Sequence, residues 1–289
     1  KEGDTHLAVG TDGGKLTSLT SINADVADFR DLLRAGHISG RSVDDISRYV
    51  LSTGQGKTFD LDALIASSRS RTDPARIVRP LDPDEVWAGG IGNYHMAPEA
   101  IEALPEYSRL AYESERPPIM YKGSAGRLAG PFDGIGIRSD NERTVAEGEL
   151  VLVIYKGKLV AYSTGNEVAG GLMQETMWWM VNSKVFQGCA SLGPCVVTPE
   201  DLPNPTSLNV EVVVTRDGRT KARETNITAL RRDPENLVRW IVAHDSPPDL
   251  VILYSGGCVA ASEAPLQAGD VVRITMQDIG FVENTVEVV

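Results

Sequence analysis

The stretch Glu147-Gly-Glu-Leu-Val-Leu-Val-Ile-Tyr155 reads as a β-strand with two acids at its entrance. Strand side chains alternate faces with a period of two, so Glu147 and Glu149 point to one side, in line with Val151 and Val153. Leu150, Leu152 and Ile154 point to the other. A strand apolar on both faces is buried on both. Two carboxylates side by side at its mouth repel each other and lose hydration, so they need a shared proton or a cation between them. Beyond the turn Lys156-Gly157-Lys158 comes a second strand, Leu159-Val-Ala-Tyr-Ser-Thr-Gly-Asn-Glu167, which runs into a Gly-containing turn with a third acid at its end. Three carboxylates on adjacent hairpin strands make an oxygen-ligand set for a hard divalent ion such as Mg²⁺, with Mn²⁺ or Ca²⁺ as alternatives. Exposed strand-edge acids pairing with Arg143 or Lys156 would show the same spacing, which leaves both readings open.

Outward from this hairpin, short strands separated by Gly and Pro dominate from Glu85 onward. Val86–Ala88, Ile135–Arg138, Leu208–Thr215, Leu250–Tyr254, Val271–Met276 and Thr285–Val289 read as strands, and Arg216-Asp-Gly-Arg219 as a hairpin turn. Helical spacing appears at Pro98–Glu113 and Pro234–His244. The pattern predicts an α+β, mostly β fold: a mostly antiparallel, rolled or barrel-like β core carrying small helices. Residues 1–75 read as a small N-terminal α/β domain, with strands at His6–Gly10 and Lys15–Leu19 around Asp12-Gly-Gly and helices at Asp25–Ala35 and Val43–Ser52. Residues 67–76 read as a connector, and residues 80–289 form the main domain.

Composition narrows the function. Forty acidic against 28 basic residues give a net charge of −12, which argues against a nucleic-acid partner or an anionic membrane surface. No run approaches the ~18 consecutive apolar residues of a membrane span. The opening residues show no basic stretch followed by an apolar one, so no signal peptide is expected. Cys189, Cys195 and Cys258, odd in number and widely spaced, point to a reducing, cytoplasmic setting rather than a disulfide framework or a zinc site.

The order of these motifs resembles the fumarylacetoacetate hydrolase superfamily. Its members carry an acid-x-acid-Leu strand, a Gly-Asn-Asp turn, a Lys-bearing segment and a Gly-Pro. Here these are Glu147-Gly-Glu-Leu150, Gly165-Asn-Glu167, Ser183-Lys-Val-Phe186 and Leu192-Gly-Pro194. Leu266–Val272, Asp278-Ile-Gly280 and Glu283-Asn-Thr-Val286 are similar to the family's closing strands. Pro83–Gly89, Ser114-Glu-Arg-Pro117 leading into Tyr121-Lys122, and Ser139-Asp140 look like the 2-keto-3-deoxy sugar acid (arabinonate-type) dehydratase branch. The sequence departs from the family at Glu167, where Asp is usual, and at Ala169-Gly-Gly171, where Ser and Arg are usual.

The resemblance implies a fumarylacetoacetate-hydrolase-like rolled mixed sheet and an ion held by Glu147, Glu149 and Glu167. It implies Lys184 and Glu115 as proton-transfer or substrate-orienting groups, His95 as a base, and Tyr94, Lys122, Ser255 and Gly256 as substrate contacts. A 2-oxo acid would chelate the ion, which stabilises the enolate formed at C3. Loss of a 4-hydroxyl from that state is a dehydration by a Mg²⁺-dependent lyase. Water attack on a distal carbonyl instead makes a carbon–carbon hydrolase of acylpyruvates. A member that has lost the chemistry and kept a binding role is the third reading. The resemblance further implies a homodimer; Trp178-Trp179 reads as core or interface and His244 as a helix C-terminal capping cation.

Overall fold

The computed structural model describes residues 5–11, 14–71, 75–90, 94–141, 143–170 and 179–289. The chain divides into two compact units, Lys1–Leu81 and Asp82–Val289. In the first, β1 (Ala8–Thr11), β2 (Lys15–Ser18) and β3 (Thr58–Asp60) form an antiparallel sheet in that order. Three helices accompany it: α1 (Phe29–Ser39), α2 (Val43–Thr53) and α3 (Leu61–Ser70). The first helix starts four residues later than its apolar spacing predicts. Asp28 caps it, accepting from the Asp31 N–H while the Asp31 side chain accepts from the Asp28 N–H, and such a box fixes a helix start. The expected connector at 67–76 begins as the last turn of α3, and β3 has no counterpart in the sequence reading. Asp12 and Gly13 lie outside the described residues.

The second unit contains β4 (Glu85–Gly89), α4 (Pro98–Glu102), α5 (Glu106–Glu113), β5 (Ile119–Gly123), β6 (Leu128–Ala129), β7 (Gly134–Ile137), β8 (Thr144–Tyr155) and β9 (Lys158–Gly170). It continues with α6 (Met180–Lys184), β10 (Ala190–Val197), β11 (Asn209–Arg216), β12 (Arg219–Ile227), α7 (Pro234–Val242), β13 (Leu250–Tyr254), β14 (Val259–Ala260), β15 (Val271–Met276) and β16 (Gly280–Val288). One sheet runs β5-β4-β13-β8-β9-β10-β6, with β14 also paired to β8; the other runs β12-β11-β15-β16-β7. Most pairings are antiparallel, with β13–β4, β10–β6 and β16–β7 parallel. This is the expected mostly β, mixed α+β fold. The single helix expected over 98–113 is two, interrupted before Pro105, whose missing N–H suits a helix start rather than an interior. Among the described residues no helix is long and apolar enough to cross a membrane.

The central strand behaves as its sequence dictates. Leu150, Leu152 and Ile154 join one core with Val210, Val212 and Val214 of β11 and Ile274 and Met276 of β15. Gly148, between the two acids, faces that core. A Cβ there would lie 2.9 Å from Val259 Cγ1 and 3.0 Å from Val212 Cγ2, so the middle of the acid-Gly-acid motif is glycine because the second sheet packs directly against it. The acids themselves point to the opposite face.

Candidate metal centre

Glu147 on β8 stands directly opposite Glu167 on β9, and Glu149 opposite Gly165. Residues opposite one another in an antiparallel pair have Cβ atoms about 5 Å apart, with diagonal neighbours within reach of long side chains. One face of one hairpin therefore gathers all three acids, and oxygens from the three lie within 4.8 Å of one another. The expected turn at Gly165-Asn-Glu167 is absent: β9 runs straight through it to Gly170. Gly165 is needed for close approach, since a Cβ would sit 2.4 Å from Tyr254 Cε1. Tyr254 is fully buried on that face, donating its hydroxyl to the Ser191 carbonyl at 2.6 Å. Asn166, on the other face, accepts from the Glu147 N–H at 3.1 Å and ties the two strands at the ligand position.

The electrostatics show what the cluster requires. Burial pushes the Glu149 carboxyl well above its usual range, and Glu167 and Glu147 push it further. Burial also raises Glu147, with Lys184 opposing and Glu167 adding. Burial would raise Glu167 too, but Lys122 and Lys184 outweigh it and hold its carboxyl below the usual range. The Lys122 ammonium, with no exposed side-chain surface, hydrogen-bonds to Glu167 Oε1 and to the Val168 carbonyl at 3.2 Å. Lys184 Nζ lies 2.5 Å from Glu167 Oε2, with 15% of its side chain exposed. Burial alone would lower Lys184; Glu147 and Glu167 reverse this and raise it.

With all three ionised, three carboxylates against two ammonium groups would leave one negative charge unbalanced in a buried place, and the raised Glu149 carboxyl shows the proton standing in for a cation. A divalent cation turns the balance to one positive charge, and a substrate carboxylate then cancels it. Glu149 carries a further sign. Its Oε2 accepts from the Gly256 N–H at 2.7 Å, while its Oε1 is buried without a hydrogen-bond partner. Buried orphan oxygens are rare because each costs about 1–3 kcal/mol. A hard cation coordinated by oxygen removes that penalty, so the residues present fit a Mg²⁺-type ion.

The other expected site residues divide into two groups. Tyr94 is buried and its hydroxyl is 2.8 Å from Ser255 Oγ; burial first, then Cys258, keeps its ionisation well above the usual value. Tyr94, Ser255 and Gly256 thus connect to the triad through Glu149. His95 and Glu115 are exposed and make no hydrogen bond or ion pair with the carboxylates among the described residues. His95 is held by its backbone N–H, which donates to the Ala229 carbonyl at 3.0 Å. Glu115 follows α5, where the Arg232 guanidinium grips the Tyr112 carbonyl (3.4 Å) and the Ser114 carbonyl. Arg231 lies over the Tyr112 ring, 4.5 Å from its centroid. These arginines were missed in the sequence, where Arg231-Arg232 looks like an ordinary charged pair. His244 lies beyond the end of α7, 6.3 Å from the Trp240 ring, and the basic residue in the last turn is Arg239. Trp179 is exposed; Gly92, Asn93, Gly171 and Trp178 lie outside the described residues.

Comparison with known proteins adds independent findings. The model of the fumarylacetoacetate (FAA) hydrolase C-terminal domain matches residues 85–287. A probable 2-keto-3-deoxyxylonate dehydratase of Haloferax volcanii is 33% identical over 281 residues, covering 94% of this chain and 92% of its own. A 2-dehydro-3-deoxy-D-arabinonate dehydratase of Saccharolobus solfataricus is 33% identical over 217 residues, 71% of this chain and 72% of its own. Among solved structures, a 2-keto-3-deoxy-D-arabinonate dehydratase complexed with magnesium and 2,5-dioxopentanoate superposes with a TM-score of 0.76 at 27% identity, covering 98% of this chain and 94% of that one.

Proposed function

Since the chain belongs to the fumarylacetoacetate hydrolase family, we propose that it is a Mg²⁺-dependent lyase that dehydrates a 2-keto-3-deoxy sugar acid. The observation that carries this reading is the buried carboxylate of Glu149, with one oxygen unpartnered beside Glu147 and Glu167. Those three residues would hold the ion. When bound, the ion supplies Lewis-acid stabilisation of negative charge developing on the keto oxygen of a 2-oxo acid.

The chain's own residues supply the rest. Lys184 is the ammonium group a substrate can reach, since Lys122 has no exposed surface; with Glu147 and Glu167 holding its proton on, Lys184 is assigned to orienting the substrate carboxylate beside the ion. Lys122 holds Glu167 in place. Glu115 and His95 are assigned to proton transfer on the loop side, where a base must take the C3 proton and the departing 4-hydroxyl must gain one to leave as water. With a five-carbon substrate, loss of the C3 proton and the 4-hydroxyl leaves a C3–C4 double bond next to C5. Tautomerisation then gives 2,5-dioxopentanoate, one water lighter than the substrate. A homodimer and a cytoplasmic setting belong to this reading, supported by the exposed Trp179 and the three free cysteines.

Incubation with Mg²⁺ and a five-carbon 2-keto-3-deoxy sugar acid should yield 2,5-dioxopentanoate by NMR, and EDTA should stop the reaction. Pyruvate released from an acylpyruvate, with no dehydration product, would place the chain among the carbon–carbon hydrolases instead.

A further inference from the structure

The turn Ser255–Cys258 is fastened to β8 at both ends. The Ser255 N–H donates to the Leu150 carbonyl at 3.0 Å and the Cys258 N–H to the Gly148 carbonyl at 3.2 Å. These two bonds bracket Glu149, and between them the Gly256 N–H takes up Glu149 Oε2. A Cβ on Gly257 would lie 3.0 Å from Glu147 Oε2, so a side chain there would press on that carboxylate. One short turn therefore touches two of the three carboxylates.

The direction of the Gly256 N–H depends on an unusual backbone: φ is 106°, a region glycine enters freely and other residues avoid. Glycine's freedom also gives it alternative conformations, so a turn resting on it needs a tether from outside. Ser255, fully buried, provides the attachment through its hydroxyl, and the partner is Tyr94, 161 residues earlier in the chain. Tyr94 is anchored in turn by a β-bridge to Leu230.

We propose that Tyr94 is a positioning residue for the divalent ion: through Ser255 it fixes the turn whose Gly256 N–H occupies one oxygen of Glu149 and leaves the other aimed at the cation. A carboxylate with one oxygen pinned presents the second in a defined place. With the turn loose, both oxygens share the available donor and the binding geometry blurs. This rests on the metal reading above. It gives Tyr94 and Ser255 work on the ion side of the site rather than contact with substrate.

The test is Mn²⁺ binding to the intact chain, followed by electron paramagnetic resonance, for the wild type, Tyr94→Phe, Ser255→Ala and the double variant, with thermal melts alongside. Each single change should weaken Mn²⁺ binding about 10-fold, as loss of an outer partner of a metal ligand typically does. The double variant should bind no more weakly than either single one, because both remove the same hydrogen bond. The Mn²⁺ concentration for half-maximal turnover should rise in step, while KM for the 2-oxo acid at saturating Mn²⁺ stays within about twofold. Unchanged Mn²⁺ binding in Tyr94→Phe, or a raised KM at unchanged Mn²⁺ binding, overturns the latch and leaves the metal reading standing. A wild type that binds no Mn²⁺ overturns both. Should Ser255→Ala fail to fold, Tyr94→Phe, which removes a single oxygen atom, decides alone.

Discussion

Glu147, Glu149 and Glu167 stand on β8 and β9, strands of 12 and 13 residues in the middle of a sheet. His95 and Ser114–Arg116 stand on connections between shorter elements, tied down by the His95 N–H on the Ala229 carbonyl and by the Arg232 guanidinium on the Ser114 carbonyl. In the first region Glu149 and Glu167 are buried, Glu147 is half-buried, and hydrogen bonds reach the acids from several directions; the second leaves His95 and Glu115 exposed. The contrast suits the roles proposed for the two halves. Ligands of one ion must keep their mutual spacing, which long paired strands provide. Groups that meet a substrate must admit and release it, which loops on a rigid scaffold allow.

Substitution of the strand-borne acid should have the largest effect. Glu149→Gln removes one anionic ligand with little change of shape, and Mg²⁺-dependent turnover should fall on the order of 10²–10³-fold. His95→Asn on the loop side should lose about 10-fold or less. Steady-state kinetics of the two variants measure this, and equal losses would erase the distinction between the halves.

Next in size is a pH effect on the strand side. Burial pushes the Cys195 thiol, on β10, up to about 11 from its usual 9.0. Near neutral pH it should alkylate about 100-fold more slowly in the folded protein than after unfolding, in proportion to its thiolate fraction. The sign for stability follows from the same shift. The unfolded chain ionises first, so this thiol's contribution is complete below pH 9 and is lost as pH rises through about 11. Labelling at the unfolded rate would mean that the strand half opens as readily as a loop.

The two lysines sharpen the comparison further. Lys122→Met breaks a fully buried pair and should lower the stability of the metal-free protein by about 3 kcal/mol. Lys184→Met, at a partly exposed position, should cost less than about 1.5 kcal/mol while depressing kcat more than Lys122's conservative Arg variant does. Urea unfolding and kinetics on the same samples separate the two roles, and a reversal would exchange them.

What could be read from the sequence follows the same division. Period-two alternation placed Glu147 and Glu149 on one face, and the apolar runs of β13 and β15 gave those strands their observed ends. Glu167 lies with the other two acids, yet Gly165 reads as a turn. Its real reason, the Tyr254 ring lying against it, comes from a strand far away in sequence. β10 has no counterpart in the sequence reading, and it carries Gly193-Pro194 with a register shift. β12 is polar at almost every position because it lies on a sheet edge, with Ala222 its one buried residue. Lys122 looks like any surface lysine in Tyr121-Lys122-Gly123, and its pairing with Glu167, 45 residues on, leaves no local trace. The loop groups have no periodicity to read, and only the family resemblance singled them out.

A crystal grown with Mn²⁺ tests the central claim most directly, through the anomalous signal of the ion. The account predicts one peak bonded at once to Glu147, Glu149 and Glu167, with the formerly unpartnered oxygen of Glu149 among its ligands. A fully occupied cation soak that leaves those carboxylates on Lys122, Lys184 and Gly256 alone, with no peak among them, would contradict it.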